Sequence, residues 1–235
     1  MTYVMSDPKG CLNAYRDLLR QIRFKDTDTM YVLGNLVGDG PDPVGLLTEM
    51  SMQSNVMPLL GDDDYRAYRI LSRMRTLLLE KQAPDNRFLK EMSTWISDGG
   101  QKTLDQFREL SDEMQEGILD YLSDMLLYAE ISVKGADYLL IHKGVTDYTP
   151  DLDLDVCGPD DFLAEAFDPS VEYDPNRVVI IGHVPVSSIP DAEEGKIFYG
   201  PNLIALNCEV TEGGSLGCLC LDNGQEYYAT EPDND

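Results

Sequence analysis

The segment Tyr31-Val32-Leu33-Gly34-Asn35-Leu36-Val37-Gly38-Asp39-Gly40-Pro41-Asp42-Pro43 decides the fold of this chain. It begins with an aromatic and branched apolar run, which is typical of a buried strand. A loop follows in which glycines separate the polar residues Asn35 and Asp39. Ligands of open α/β sheets bind beyond the carboxyl ends of the strands. The segment therefore predicts one part of a ligand site.

The same order of strand, loop and helix occurs on both sides of this segment. Residues 1–5 form an apolar run that ends shortly before Asp7, and residues 12–22 carry apolar side chains at helical spacing. A third strand is predicted for residues 55–60, and it ends in Gly61-Asp62-Asp63-Asp64. This order predicts an α/β fold with a largely parallel sheet whose polar loops meet at one rim.

The remainder of the chain divides into a helical part and a strand-rich part. Residues 65–128 repeat apolar side chains at helical spacing, which we interpret as an insertion in a single domain that spans residues 1–230. Residues 131–142 predict a β-hairpin, and residues 177–182 predict a buried strand. We expect residues 231–235 to be disordered.

The composition excludes several classes of partner. With 235 residues, of which 43% are hydrophobic, the chain can bury a substantial core. The formal net charge of −25 argues against nucleic acid or an anionic membrane as partner. No apolar run approaches the roughly 18 residues of a membrane-spanning helix, and the first residues do not resemble a signal peptide. Five cysteines without CxxC spacing are typical of free thiols in a reducing compartment, so we expect a cytoplasmic protein.

The chain contains two histidines, and both occupy the same kind of position. His142 and His183 each follow an apolar strand pattern and stand close to a glycine. Polar side chains also follow the other predicted strands, at Asp7, Asn35 and Asp62. Together these residues predict a site on the rim of the sheet. The alternative is a structural or interaction domain in which both histidines pack in the core.

These polar positions, taken in order, resemble a known family. The chain is similar to the calcineurin-like metallophosphoesterases, in the branch of the serine/threonine protein phosphatases and diadenosine tetraphosphatases, whose motifs read GDxHG, GDxxDRG, GNHE, H(A/G)G and GHT. The matching segments are Asp7 to Gly10, Gly34-Asn35 to Gly40, Gly61-Asp62-Asp63-Asp64, His142-Lys143-Gly144 and Gly182-His183. The resemblance covers most of the chain. It implies a four-layer α/β/β/α sandwich, in which two mixed sheets are flanked by helices.

The resemblance also implies two metal sites, and the first of them is altered. Its ligand positions are occupied by Asp7, Lys9 and Asn35. A protonated lysine has no lone pair to offer a metal, and a neutral amide bridges two dications poorly. We therefore expect the first metal to be absent, with the ammonium of Lys9 in its place as a candidate substrate-binding group.

The second metal site keeps competent ligands. By resemblance these are Asn35, Asp62, His142 and His183, which suit manganese, zinc or iron. The expected cofactor is therefore one divalent metal or none.

The catalytic positions depart further from the family pattern. The family's general acid, the carboxylate that supports it and the phosphate-binding arginine correspond to Asp63, Gly38 and Asp39. Our first hypothesis is a weakly active or inactive pseudophosphatase that acts by binding a phosphorylated small molecule or protein. The alternative is an active phosphoesterase that hydrolyses a phosphomonoester or a dinucleoside polyphosphate with one metal, and with Asp63 or Asp64 as acid or base.

Overall fold

The computed structural model describes residues 1–232, which form two five-stranded sheets with helices on their outer faces. In this part of the chain the strands are β1 (Thr2–Met5), β2 (Thr29–Leu33), β3 (Val56–Leu59), β4 (Tyr128–Val133), β5 (Ala136–Ile141), β6 (Val178–Pro185), β7 (Phe198–Gly200), β8 (Leu203–Asn207), β9 (Leu216–Cys220) and β10 (Glu226–Ala229). The α-helices are α1 (Leu12–Ile22), α2 (Pro43–Ser51), α3 (Asp62–Glu80), α4 (Asn86–Trp95), α5 (Gln101–Glu109), α6 (Asp112–Ser123) and α7 (Pro159–Leu163).

The first sheet has the strand order β10-β9-β1-β2-β3. Strands β1, β2 and β3 are parallel, with Met5 opposite Val32 and Leu33 opposite Leu59, so their following loops share one rim. Strand β9 runs antiparallel to β1, and β10 runs antiparallel to β9. The sheet is therefore mixed. The prediction of a largely parallel sheet holds only for β1, β2 and β3, on one side of this sheet, because β9 and β10 form a hairpin whose strand β9 pairs antiparallel with β1.

The second sheet has the order β4-β5-β6-β8-β7 and is also mixed, with β5, β6 and β8 parallel. Strand β5 ends directly before His142. Strand β6 extends past its predicted end, so that His183 lies inside it, at an irregularity between Ile181 and Pro185 where the register shifts. The sequence pattern ended this strand too early, because the left-handed backbone of His183, with φ 52°, is not visible in the hydrophobic pattern.

The core lies in layers that follow the two-residue period of the strands. Between the sheets, Leu33, Leu140 and Ile180 are fully buried. On the outer face of the second sheet, Leu139 and Ile181 pack with residues of α7 and the loops around it. The outer face of the first sheet is covered by a third cluster that includes residues of α1 to α6. The predicted sandwich of two mixed sheets flanked by helices is confirmed.

Helices α3 to α6 occupy the part of the chain, about 65–128, in which the sequence predicts a helical insertion, although α3 begins earlier, at Asp62. Of the tail expected to be disordered, residues 233–235 lie outside the described residues. Glu231 lies within them and accepts hydrogen bonds from Asn13 and from the backbone of Ala14. In the part of the chain that the structure describes, no helix has both the length and the apolar character that crossing a membrane requires.

Candidate metal centre

The rim at which both sheets meet is built from unusual backbone conformations. Asp7, Lys9, Asn35 and His183 all have positive φ, between 45° and 52°. Residues other than glycine adopt this region only at a cost, and such residues cluster at functional sites. A Cβ on Gly182 would lie 1.8 Å from the Ser6 hydroxyl oxygen. Glycine at this position therefore lets β6 of the second sheet approach the loop that follows β1.

Three side chains converge at this rim. Asp62 Oδ1 lies 2.9 Å from His142 Nε2 and 3.3 Å from His183 Nδ1. The candidate ligand atoms of the three residues all lie within 4.8 Å of one another. The two imidazole rings stand edge to face, with 5.3 Å between their centroids. We call Asp62, His142 and His183 the triad.

The hydrogen bonds of His142 restrict what its ring can do. Its Nδ1 lies 2.6 Å from the backbone oxygen of Leu33. Because a carbonyl oxygen only accepts, Nδ1 must carry a hydrogen. The other nitrogen, Nε2, faces the Asp62 carboxylate, so it either holds a proton as well or directs its lone pair at a cation that it shares with Asp62.

The charges around the triad agree with this geometry. Burial alone would lower the pKa of His142, but the hydrogen bond to Asp62 and the charges of Asp7 and Asp62 raise it to about 9. Burial alone would raise the pKa of Asp62, whereas the two histidines hold it far below its usual range. Without a metal, therefore, Asp62 is ionised and His142 is a cation at neutral pH.

The triad fits a divalent metal. Two imidazoles and one carboxylate form a common ligand set for zinc and also suit manganese and iron. Metal–ligand bonds of about 2.0–2.1 Å in a tetrahedral arrangement separate ligand atoms by roughly 3.4 Å. The separations of 2.9 and 3.3 Å in the triad are close to this value. The Leu33 carbonyl would orient His142 as the outer hydrogen-bond partners of metal-binding histidines do.

Asp7 and Asn35, two of the residues predicted for the first metal site, are hydrogen-bonded to each other. Asp7 Oδ1 accepts a hydrogen bond from Asn35 Nδ2 at 3.0 Å, and Asp7 Oδ2 accepts one from the backbone N–H of His183 at 2.9 Å. The Ser6 hydroxyl also donates to Asp7 Oδ2. Asn35 Oδ1 accepts from the backbone N–H of Asp63 at 3.0 Å. Both side chains are therefore used in hydrogen bonds, and Asn35 is not part of the triad.

Lys9 lies within a group of carboxylates. Its Nζ is 3.7 Å from Glu212 Oε1, and its side chain is mostly buried. Burial alone would lower the pKa of Lys9, but Asp7, Asp39 and Glu212 raise it above its ordinary value. A Cβ on Gly38 would lie 2.9 Å from Lys9 Cβ, so glycine at this position leaves room for the lysine.

The two predicted catalytic aspartates differ in their surroundings. Asp63 is half-buried, in the first turn of α3 beside Asp62. Its burial, and next the charge of Asp62, raise its pKa to about 6. Asp39 is exposed on the loop after β2.

Lys143 had no predicted role in the site, and Asp64 was predicted only as an alternative acid or base. Lys143 Nζ lies 3.6 Å from Asp62 Oδ2. Asp64 is completely buried and accepts hydrogen bonds from the backbone N–H groups of Val37 and Gly61, at 3.0 and 3.1 Å, and so joins the loops after β2 and β3. Burial raises the pKa of Asp64 to about 7. Its place three residues after Gly61, as in a capping box, was a signal that could have identified it.

Comparison with known proteins gives relatives in sequence and in structure. No family model matches the chain. This chain is 32% identical over 151 residues to a protein of Acidovorax sp. (strain JS42) named symmetrical bis(5'-nucleosyl)-tetraphosphatase. The matched segment covers 61% of this chain and 43% of that protein. A protein of the same name from Nitrosospira multiformis is 30% identical over 102 residues, which covers 40% of this chain and 36% of that protein.

Solved structures share the fold over nearly the whole chain. A protein provisionally named a diadenosine tetraphosphatase superposes with a TM-score of 0.65 at 18% identity, covering 99% of this chain and 94% of its own. A metallophosphoesterase from Sphaerobacter thermophilus superposes with a TM-score of 0.56 at 15% identity, and the superposition covers 100% of this chain and 89% of that protein. The chain therefore has the metallophosphoesterase fold, and its similarity in sequence to these tetraphosphatases supports the predicted resemblance to the calcineurin-like superfamily. Members of this superfamily use divalent metals, and the triad is the candidate ligand set here. The matched part spans less than half the length of the curated relatives.

Proposed function

We propose that this protein is a metallophosphoesterase-fold pseudophosphatase, weakly active or inactive, that binds a phosphorylated ligand and holds at most one divalent metal, at the triad. The observation that carries this proposal is the state of Asp7. Its carboxylate accepts hydrogen bonds from Ser6, Asn35 and the backbone of His183, and the ammonium of Lys9 lies nearby. Two-metal hydrolysis needs a metal at this position, and in our proposal the ammonium of Lys9 and these hydrogen-bond donors would take its place.

The remaining residues support binding better than turnover. A metal at the triad would supply a Lewis acid toward a phosphoryl oxygen. Asp62, His142 and His183 would hold it, and Lys9 would attract the phosphate. Asp39 carries a negative charge where the family pattern has an arginine, so it would repel the phosphate. Because the parts of a catalytic site act together, their joint replacement lowers a rate by orders of magnitude.

A second candidate function is a single-metal phosphoesterase. It is favoured by the position of Asp63, whose backbone N–H is bonded to Asn35 and whose carboxyl group lies beside the triad residue Asp62. In this mechanism the carboxyl of Asp63 would protonate the leaving group. The substrate would be a phosphomonoester or, by similarity to the curated relatives, a dinucleoside polyphosphate.

Metal analysis of the purified protein tests the first candidate. After incubation with manganese, zinc or iron(II) and removal of free metal, we expect mass spectrometry to find no more than one metal per chain. Asp62→Asn or His183→Ala should reduce this metal content. Asp160→Asn, which changes an exposed aspartate, is the matched control. Two metals per chain would contradict the proposal. Metal-dependent turnover of p-nitrophenyl phosphate or diadenosine tetraphosphate that is abolished by both His183→Ala and Asp63→Asn would establish the second candidate instead.

The setting of this activity is also a proposal. The five cysteines are free thiols, four of them buried, which supports a reducing compartment such as the cytoplasm. A phosphorylated small molecule or protein is the partner that the site chemistry supports, and nucleic acid is disfavoured by the net charge of −25.

A further inference from the structure

Lys143 places a second ammonium group in the site, beside the triad. It directly follows the triad residue His142, and its side chain is only 15% exposed. Its Nζ lies 3.6 Å from Asp62 Oδ2. The two oxygens of the Asp62 carboxylate therefore have different partners. Oδ1 contacts the two histidines, and Oδ2 contacts Lys143.

The contact with Asp62 leaves most of the capacity of Lys143 unused. An ammonium group has three donors, and a full hydrogen bond to a carboxylate is about 2.7–2.9 Å long. The separation of 3.6 Å is an ion pair without such a bond, and among residues 1–232 it is the polar contact that Nζ makes. By contrast, the charge of Lys9 interacts with the charges of four carboxylates, those of Asp7, Asp39, Glu212 and Asp63.

A second cation meets a need that the altered site creates. Phosphoryl groups carry up to two negative charges, and the family pattern binds them with an arginine at the position that Asp39 occupies here. The half-buried Lys143 lies next to the triad, where partial burial strengthens its interaction with an anion. A divalent metal bound at the triad would neutralise the charge of Asp62 and so weaken the ion pair between Asp62 and Lys143.

We propose that Lys143 binds the phosphoryl group of the ligand, in place of the arginine of the family pattern. This rests on the proposed function for the presence of a phosphorylated ligand. Lys143 also competes with a metal for Asp62. Removing its charge therefore has two effects of opposite sign: phosphate binding weakens, and metal binding strengthens.

Calorimetric titration with inorganic phosphate tests this role, in the presence of manganese and separately in EDTA. We expect Lys143→Met to weaken phosphate binding by about tenfold or more, because a charge-assisted hydrogen bond is lost. Lys143→Arg should retain most of the affinity. Titration of the same variants with manganese alone should show tighter binding for Lys143→Met. Lys90→Met, which changes an exposed helical lysine, should leave both affinities unchanged.

The outcomes separate the two proposals. A phosphate affinity of Lys143→Met within twofold of wild type, or no phosphate binding by wild type in either condition, would overturn the role of Lys143. Two bound metals in wild type would overturn the proposed function and leave the phosphate titrations as the test of Lys143. Titration with O-phosphoserine identifies the source of the group: tighter binding than inorganic phosphate, lost in Lys143→Met, indicates a phosphomonoester, and the reverse order indicates free phosphate.

Discussion

Lys9 and Asn35 differ from the family pattern in two ways that would disfavour a metal at the first site. Lys9 adds a positive charge among carboxylates that would otherwise attract a dication. Asn35 donates a hydrogen bond to Asp7 Oδ1 at 3.0 Å, so the carboxylate is occupied by a donor. Both residues have positive φ, with 45° for Lys9 and 52° for Asn35.

Restoring both side chains should restore a metal. In the double variant Lys9→His and Asn35→Asp, the cation is removed and two carboxylates face each other about 3 Å apart, which favours a bound dication. We expect the metal content to rise by about one per chain, measured by mass spectrometry. Asn35→Asp alone should lower the melting temperature in EDTA, since Lys9 only partly offsets the new repulsion. An unchanged metal content in the double variant would contradict the view that Lys9 and Asn35 are what prevents a metal from binding at the first site.

The sequence identified part of this site in advance, and the physical reason is clear at the residue scale. Asp62 and His142 could be predicted because each follows a strand of a sheet, and His183 because it follows the buried run of residues 177–182. At such positions side chains from distant parts of the chain meet. The roles of Lys143 and Asp64 depend on side-chain direction, namely on the 3.6 Å contact with Asp62 and on two backbone N–H groups from different loops. Neighbouring residues in the sequence do not predict these contacts. The exception is the hydrogen bond from the Gly61 N–H to Asp64, which the capping-box spacing of the two residues indicates.

Among the elements, α1 depends on a distant residue for its start. The residue before this helix, Cys11, makes no side-chain cap. Glu231 fills that role, because its Oε2 accepts a hydrogen bond from the backbone N–H of Ala14 at 2.8 Å and its Oε1 accepts one from Asn13 Nδ2 at 2.9 Å. A carboxylate at a helix N-terminus also interacts favourably with the helix dipole.

Loss of this cap should destabilise the fold modestly. We expect Glu231→Ala to lower the free energy of unfolding by about 1 kcal/mol, which is typical for the loss of an N-terminal cap. Urea unfolding of the variant measures the change. Glu194→Ala, at an exposed glutamate, serves as the control and should differ little from wild type. Equal stability of the two variants would mean that Glu231 does not hold α1 in solution.

The elements themselves were predicted to different extents. Residues 12–22 follow a clear helical spacing, and α1 has these bounds. The direction of β9 was not predicted, because the hydrophobic pattern of a strand does not say which neighbour it pairs with. The pattern also ended β6 before His183, since a left-handed residue inside a strand leaves no trace in the pattern.

At the scale of the whole molecule, the net charge of −25 makes paired buried charges important for stability. Away from the triad, Asp174 is buried and accepts hydrogen bonds from Arg177 Nε at 2.6 Å and from the Tyr148 hydroxyl at 3.0 Å. Arg177 also pairs with Glu130. Burial alone would raise the pKa of Asp174, but the Asn176 N–H, Arg177 and Tyr148 together lower it.

The contribution of Asp174 to stability should depend on pH. Because its pKa is lower in the folded state, the contribution is complete above the ordinary aspartate value of about 3.9 and is lost as the pH falls through the folded value. We expect Asp174→Asn to cost about 2–3 kcal/mol in urea unfolding at pH 7, since the half-buried guanidinium of Arg177 loses its buried charged partner. The difference from wild type should shrink in acid. Asp151→Asn, at an exposed aspartate, is the control, and a pH-independent difference would contradict the prediction.

The ligands of the triad come from both halves of the sandwich. Asp62 follows the first sheet, the two histidines lie on the second, and the Leu33 carbonyl of the first sheet orients His142. Without a metal, the proton shared by His142 and Asp62 connects the two halves, and a metal would make the same connection. Occupancy of the triad and cohesion of the sandwich are thus thermodynamically linked. A chelator that removes a metal from the triad would therefore lower the denaturant concentration at which the protein unfolds.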